Sequence, residues 1–387
     1  MEQPDLQAPF GIYLSFPFCP VKCHYCAFGT RLYSPNGVSR YGEGIRAELN
    51  MARRRPELGG RTVGSIYIGG GSPTLLPDEL SNDLKQIKEH FDVRPDAEIS
   101  LEAYPSGIHA ENLAPLVKEG FNRISFGVQS FFDEDLVRMN RSHTAREVHD
   151  AIRESRDAGF WNLNLDLIYG LPGQTLRQWE ENLRIALQIS PEHLSVYGLT
   201  IEENTHLSFL EKRGRFRETD DELTAEMFET AISILRGAGY HHYEISNFAR
   251  PGRESRHNLL YWTQGDFLGI GPGAASYLSG RHTLNEATLD GYLRKIHDGE
   301  SPVAESETLT IESRLQDAIV FGLRKLSGVH LESMQEAYRS LMPGWIPRLD
   351  KLVDQGYLRK TGKSRFSLTE KGILFSDHVS MMLSGSA

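Results

Sequence analysis

Cys19-Pro20-Val21-Lys22-Cys23-His24-Tyr25-Cys26 holds every cysteine of the 387-residue chain, directly after the apolar run Gly11-Ile12-Tyr13-Leu14-Ser15-Phe16. Iron–sulfur clusters are held by Cys thiolates, normally four for a [4Fe–4S] cube. With three cysteines available, one iron must take its ligand from elsewhere, and an open iron is a reactive iron. An odd count argues against a disulfide framework, and the tight spacing argues against three unrelated buried thiols. Zinc completed by His24 is the alternative, but structural zinc usually closes with two ligand pairs far apart in sequence, and no second pair exists here.

Working outward, β-rich runs alternate with helical stretches as far as about residue 205. They are Gly11–Phe16, Ser65–Ile68, Glu98–Glu102, Arg123–Val128, Asn162–Ile168 and His193–Tyr197. Six strands separated by helices read as βα units with a parallel sheet, an α/β fold. Thr144 with Glu147, and Thr175 with Gln178, carry the capping-box spacing of helix starts. After Thr175, Leu176, Trp179, Leu183 and Leu187 recur at helical spacing, so Trp179 reads as core. Polar residues gather where the strands end: Gly69-Gly70-Gly71-Ser72-Pro73, Glu102, Gln129, Asp166 and Thr200. In parallel α/β barrels that rim carries the chemistry, so these positions and the cysteine loop are expected to share one mouth. Each alone would be an ordinary turn or cap.

A helix is expected over about 219–238, followed by a dense stretch from Tyr243 to Gly273. From about 306 the order helix, helix, strand, turn, strand resembles a small winged-helix module. Residues 341–387 carry seven Lys or Arg against four Asp or Glu, too slight a bias for a DNA grip, so a lid or partner-docking role is expected. The domains are read as 1–205 with the cluster loop, 206–300 and 301–387.

Hydrophobic residues make up 39% and charged residues 24% of the chain, as in soluble globular proteins, and the net charge of −10 argues against a broad nucleic-acid surface. Arg53-Arg54-Arg55 reads as the solvated end of a helix. Met1–Leu6 lacks the basic and apolar regions of a secretory leader, and no run approaches a transmembrane span. A cytoplasmic location is the expectation.

A cluster with a free iron can bind the amino and carboxylate groups of S-adenosylmethionine (SAM). Electron transfer then breaks a carbon–sulfur bond to give a 5′-deoxyadenosyl radical, which the protein must orient and shield. Gly69-Gly70-Gly71 lets backbone approach a ligand closely because no Cβ intervenes. Glu102 and Asp166 suit a ribose diol or a cation, and Arg141 suits a carboxylate. Tyr13 fits either beside the cluster or as a strand aromatic.

Together with the cysteine motif, Gly69–Pro73, Phe126-Gly-Val-Gln-Ser-Phe131, Asn140-Arg-Ser-His143, Asp166-Leu-Ile-Tyr-Gly-Leu-Pro-Gly173, Tyr243-Glu-Ile-Ser-Asn-Phe248 and Arg256-His-Asn-Leu-Leu-Tyr-Trp262 resemble the radical SAM proteins related to oxygen-independent coproporphyrinogen III oxidase. They are nearest the HemW haem-chaperone branch. The resemblance covers nearly the whole chain. It implies a partial (β/α)6 radical SAM barrel with a C-terminal winged-helix-like module. It also implies a [4Fe–4S] cluster on Cys19, Cys23 and Cys26, with Tyr13, Tyr25, Gly70 and Glu102 near the cluster-bound SAM. Gly71, Ser72, Gln129, Arg141, Asp166 and Thr200 match positions that bind a second SAM in the oxidase. The segment His257-Asn258-Leu259-Leu260-Tyr261-Trp262 matches the motif tied to haem, with His257 as an axial ligand. Its alternative is a hydrogen-bonded His beside a buried aromatic pair. The implied partners are SAM, haem, a recipient haemoprotein and an electron donor.

Phe28 stands where the oxidase has a further Cys, and Cys19 lies near the start; both point away from the oxidase. Gly271-Pro-Gly-Ala-Ala275 lacks a His frequent in the chaperone branch, and Ala27 replaces a common Asp. A haem chaperone is the first expectation and a methyltransferase using two SAM molecules the second. The oxidase itself and a scaffold with a structural cluster follow.

Overall fold

Polar and apolar residues alternate along the central strands, and alternation sends them to opposite faces of the sheet. In the computed structural model, which describes residues 8–334 and 336–385, these strands are β1 (Phe10–Phe16), β2 (Thr62–Gly70), β3 (Asp92–Ala103), β4 (Arg123–Gln129), β5 (Leu163–Tyr169) and β6 (His193–Gly198). They pair in parallel and in chain order. The helices between them are α1 (Pro35–Ala52), α2 (Pro77–His90), α3 (Ala110–Glu119), α4 (Asp133–Arg138), α5 (Ala145–Asp157) and α6 (Leu176–Ile189). Ile66, Leu101, Ile124 and Leu165 share one fully buried cluster with Leu84, Leu116, Val148 and Trp179 of these helices. Each such side chain contributes about 1.5–3 kcal/mol. The opposite face carries Ser65, Tyr67, Glu98, Ser100, Glu102, Arg123, Ser125, Asn164 and Asp166. The sheet therefore has an apolar outer face under helices and a polar inner face.

Both capping boxes form, at Thr144 and Thr175. Trp179 is fully buried, and its indole N–H donates to the Met227 carbonyl at 2.7 Å. Arg53 and Arg54 are exposed just past the end of α1. Among the described residues no helix is long and apolar enough to cross a membrane. The leader reading of Met1–Leu6 lies outside the described residues.

The chain continues through α7 (His206–Lys212), α8 (Asp221–Gly237), β7 (His241–Glu244), β8 (Asn247–Ala249), α9 (Arg256–Trp262), β9 (Phe267–Ile270), β10 (Ala275–Leu278), β11 (Arg281–Asn285), α10 (Leu289–His297) and β12 (Val303–Thr308). The twelve-stranded sheet runs β12-β11-β10-β9-β1-β2-β3-β4-β5-β6-β8-β7. β9 lies parallel to β1 and extends the parallel run beyond the six expected strands, whereas β8 closes the far side antiparallel to β6. The sequence reading assigned no strand to Phe267–Ile270. Gly269 is required there: a Cβ would sit 2.1 Å from the Ala275 carbonyl oxygen of the returning strand.

The C-terminal module is α11 (Ile311–Arg324), β13 (Val329–His330), α12 (Met342–Asp354), β14 (Leu358–Thr361) and β15 (Arg365–Leu368), with its sheet ordered β13-β15-β14. This is winged-helix-like, as expected. Its core, built on Leu315, Ile319, Leu349 and Phe366, also takes in Phe228 of α8 and Ile245. Backbone bonds from Ile245 N–H to the Arg324 carbonyl at 3.2 Å, and from Leu326 N–H to the Tyr243 carbonyl at 3.0 Å, fasten α11 to the end of the large sheet.

Candidate functional site

The cysteine loop leaves β1 and is pinned on several sides. Phe18–Cys19 pairs in parallel with Arg31–Leu32 and closes the loop on itself. The His24 N–H donates to the Met139 carbonyl at 3.0 Å, the Leu207 N–H to the His24 carbonyl at 2.9 Å, and the Asn140 amide to the Lys22 carbonyl at 2.8 Å. Asn140 takes a left-handed φ of 56°, a conformation that Asn tolerates, where the chain turns toward the loop.

All three thiols are free and partly buried. Arg141 Nη1 lies 3.5 Å from Cys23 Sγ, and Lys22 Nζ lies 4.0 Å from Cys26 Sγ. Burial pushes the Cys19 thiol above its usual value, opposed by hydrogen bonds from Ser72 and Thr30 and reinforced by Cys26 and Cys23. Three mutually interacting sulfurs ringed by cationic and hydroxyl donors suit an anionic thiolate-bound cluster. No three His, Cys, Asp or Glu side chains among the described residues converge on one ion, as a mononuclear zinc site would need. A four-iron cube gives each thiolate its own iron, so its ligands need not meet at a point.

Gly69 and Gly70 belong to the end of β2 rather than to the loop after it. Gly70 has φ 105°, and the Gly71 and Ser72 N–H groups donate to the Phe16 and Phe18 carbonyls, both at 2.7 Å. A Cβ on Gly71 would lie 2.3 Å from the Phe18 oxygen, so β2 is sewn directly to the segment entering the cluster loop. The Gly70 N–H donates to Glu102 Oε2 at 2.8 Å and the Tyr67 hydroxyl to Oε1 at 3.0 Å. The amides of Gly70, Gly71 and Ser72 are thus spent internally. Burial pushes the Glu102 carboxyl up to about 7 against the Gly70 bond, and Asp166 adds to the rise.

Tyr13 stacks on Tyr67 with ring centroids 6.1 Å apart, and a Cβ on Gly70 would lie 3.3 Å from its hydroxyl. Tyr25 packs on the small cluster of Met139, Ile168 and Leu207 under the loop. Gln129 ends β4 with φ 68°, and its buried Oε1 has no partner among the described residues. Arg141 donates to the Gly127 carbonyl and lies over the Tyr104 ring at 4.4 Å, so its guanidinium braces Cys23 against β4. Asp166 sits deeper, accepting from Asn164 at 2.7 Å and Ser125 at 3.3 Å, its carboxyl raised by burial. Thr200 lies exposed in the stretch after β6.

His257 stands apart from this mouth. It is 1% exposed, and both ring nitrogens are engaged: Nδ1 with Ser65 Oγ and Nε2 with the Tyr261 hydroxyl, each at 2.8 Å. Ser65 and Gly70 lie five residues apart on one strand, so His257 is roughly 16 Å below the rim. Glu98 of β3 accepts from the Arg256 and His257 N–H groups at the start of α9, both at 3.1 Å. That acidic contact suits the positive helix end and seats α9 across the barrel floor. Burial, with Arg123 nearby, pushes the His257 imidazole down to about 3, so it is neutral.

Sequence reasoning missed Tyr67, Ser65, Tyr104 and Arg123. The signal was present: every second residue of β2 to β5 is polar between fully buried apolar neighbours, the pattern of a sheet with a polar interior. Tyr67 is the pivot, since it stacks on Tyr13 above and, at 5.4 Å, on His257 below.

The chain is similar to known proteins over its full length. The model of the radical SAM superfamily matches residues 13–186. Heme chaperone HemW of Bacillus subtilis is 35% identical over 95% of this chain and 97% of its own length, and that of Escherichia coli 34% over 95% and 96%. The mouse mitochondrial radical S-adenosyl methionine domain-containing protein 1 is 32% identical over 90% of this chain and 81% of its own. Among solved structures, the coproporphyrinogen III oxidase HemN of Escherichia coli superposes with a TM-score of 0.85 at 24% identity, covering 99% of this chain and 91% of that one. That likeness establishes the shared fold. The chain belongs to the HemW family of the radical SAM superfamily.

Proposed function

We propose that this protein is a haem chaperone: it binds haem and hands it to a recipient haemoprotein. It would carry a [4Fe–4S] cluster on Cys19, Cys23 and Cys26 with SAM at the open iron. Bound together, cluster and SAM supply one-electron reductive cleavage of a carbon–sulfur bond. The chain's own residues would orient that pair. Gly70 and Gly71 hold the backbone against the loop, Glu102 offers a carboxylate to a cationic or diol group, Tyr13 walls the site, and Arg141 fixes Cys23.

The observation that carries the reading is end-to-end similarity to HemW proteins, across both the barrel and the C-terminal module. Two features support it over the coproporphyrinogen oxidase reading. Phe28, where the resemblance places the oxidase's further Cys, is 66% exposed beside the cluster loop. Arg141, a second-SAM candidate, is engaged with Gly127 and Cys23. The location is proposed to be cytoplasmic, where thiols stay reduced.

The test is transfer. Protein loaded with ferric haem is mixed with an apo-haemoprotein, and the recipient's spectrum is followed beside a haem-only control. Transfer faster than from free haem supports the chaperone. Incorporation of methyl label from SAM into a small-molecule acceptor, with no transfer of haem, would instead establish the methyltransferase.

A further inference from the structure

The cysteine loop has a second side. Cys19 and Cys23 turn to Ser72 and Arg141 of the mouth, whereas His24, between Cys23 and Cys26, turns to α4 and α7. Its Nδ1–H donates to the Arg138 carbonyl at 3.0 Å, and its ring lies 4.3 Å from that of His206. The His206 ring is followed by Phe209 at 6.0 Å, and the Arg213 guanidinium caps Phe209 at 4.2 Å. A row of stacked side chains thus runs from the residue beside Cys23 out to solvent, where His206, Phe209 and Arg213 are exposed.

Arg213 belongs to the ribbon Lys212-Arg213-Gly214-Arg215-Phe216-Arg217, four cations in six residues of a chain whose net charge is −10. All four are exposed, and none forms an ion pair with a carboxylate among the described residues. Phe216 anchors the ribbon by packing on the same small core that holds Tyr25 of the cysteine loop. Exposed apolar area, from Phe209 and, in α4, Val137, therefore sits beside unpaired arginines. Aromatic and arginine side chains are the types enriched where proteins dock.

Reductive cleavage needs one electron from outside the chain for each carbon–sulfur bond broken. The products are methionine and the 5′-deoxyadenosyl radical, and the carrier that supplies the electron is oxidised by one. We propose that α7 and the ribbon Lys212–Arg217 form the docking surface for an acidic one-electron carrier protein, which delivers its electron to the cysteine loop at His24. This rests on the radical SAM reading above and names the partner class and the surface that serve it. Unpaired cations on an otherwise anionic protein attract and orient an acidic partner at this one place. A uniformly anionic lipid surface fits less well, because Glu202, Glu203 and Glu211 stand exposed among the cations and would be repelled by it.

The test uses full-length, cluster-reconstituted protein and an acidic flavodoxin as the probe. Association is measured by biolayer interferometry at low and high salt, and cluster reduction by the flavodoxin hydroquinone is timed beside reduction by dithionite. Arg213→Glu/Arg215→Glu should associate at least ~10-fold more slowly at low salt and lose most of the salt dependence. Its reduction by dithionite should match wild type. Arg213→Lys/Arg215→Lys, and Arg53→Glu/Arg54→Glu at the exposed end of α1, should both behave as wild type. Unchanged association in the first variant, or an equal loss in the α1 variant, would overturn the proposal. So would binding to phosphatidylglycerol vesicles that the first variant loses while flavodoxin does not bind wild type. A cluster that dithionite cannot reduce would instead remove the radical reading, and the docking role with it.

Discussion

Replacing His257 by Ala should act on the fold first. The substitution removes hydrogen bonds to Ser65 Oγ and the Tyr261 hydroxyl and the stacked contact with Tyr67. Ser65 is 4% exposed and its hydroxyl is left without this partner; an orphaned buried polar group costs about 1–3 kcal/mol. The Tyr261 hydroxyl, nearer the surface, adds less, and the vacated volume adds a packing loss, for a total of about 3 kcal/mol near neutral pH. His143, His193 and His242 are depressed by burial as well, so the pH dependence of His257 is read as the difference between wild type and His257→Ala, in which the other three cancel. The folded-state value of His257, about 3, lies below the ordinary 6.5, so the stability it contributes is present above 6.5 and is lost as pH falls. At about pH 5 wild type should have lost about 2 kcal/mol of its advantage over His257→Ala. Urea unfolding of the metal-free proteins, followed by far-ultraviolet circular dichroism at both pH values, measures the gap directly. A double-mutant cycle with Ser65→Ala should show the two losses to be less than additive by about 1 kcal/mol. A His257→Ala variant as stable as wild type, with no pH-dependent gap, would refute the floor-sealing role.

Cys23→Ala should abolish the intact cluster and reductive SAM cleavage, so undiminished 5′-deoxyadenosine formation by that variant would sink the radical assignment. Gly71→Ala drives a Cβ toward the Phe18 oxygen at 2.3 Å and should lower iron retention and SAM affinity together, read by iron content and equilibrium dialysis. Because the Glu102 carboxyl sits near 7, affinity for cationic SAM should rise with pH through that value and level off above it. In Glu102→Gln this step should vanish from a calorimetric pH series. Glu48, 2% exposed and accepting from Gly271, Asn285 and Tyr292, is raised to about 7 from 4.5. Its stabilising contribution is therefore full below 4.5 and should fall by about 3 kcal/mol as pH rises to 7, a trend absent from Glu48→Gln in parallel urea titrations.

Much of this could be read from the chain because local signals and tertiary structure agree. The six parallel strands, both capping boxes and the buried Trp179 follow from periodicity and cap chemistry alone, and the winged-helix order from the turn at Gly362 between two short strands. The strand β9 was hidden because close approach to β10 demands glycine where a strand pattern would carry a branched residue. Placement of His257 at the floor depends on Glu98 and Ser65, residues more than 150 positions away in sequence. No local pattern encodes that contact.

The most direct test is anaerobic titration of ferric haem into the cluster-reconstituted wild-type protein, following the haem absorption to saturation and counting equivalents bound. Saturable one-to-one binding that is reversed by an apo-haemoprotein acceptor is the expected result. Absence of saturable binding in protein with a full cluster would contradict the chaperone assignment and turn the search to a small-molecule methyl acceptor.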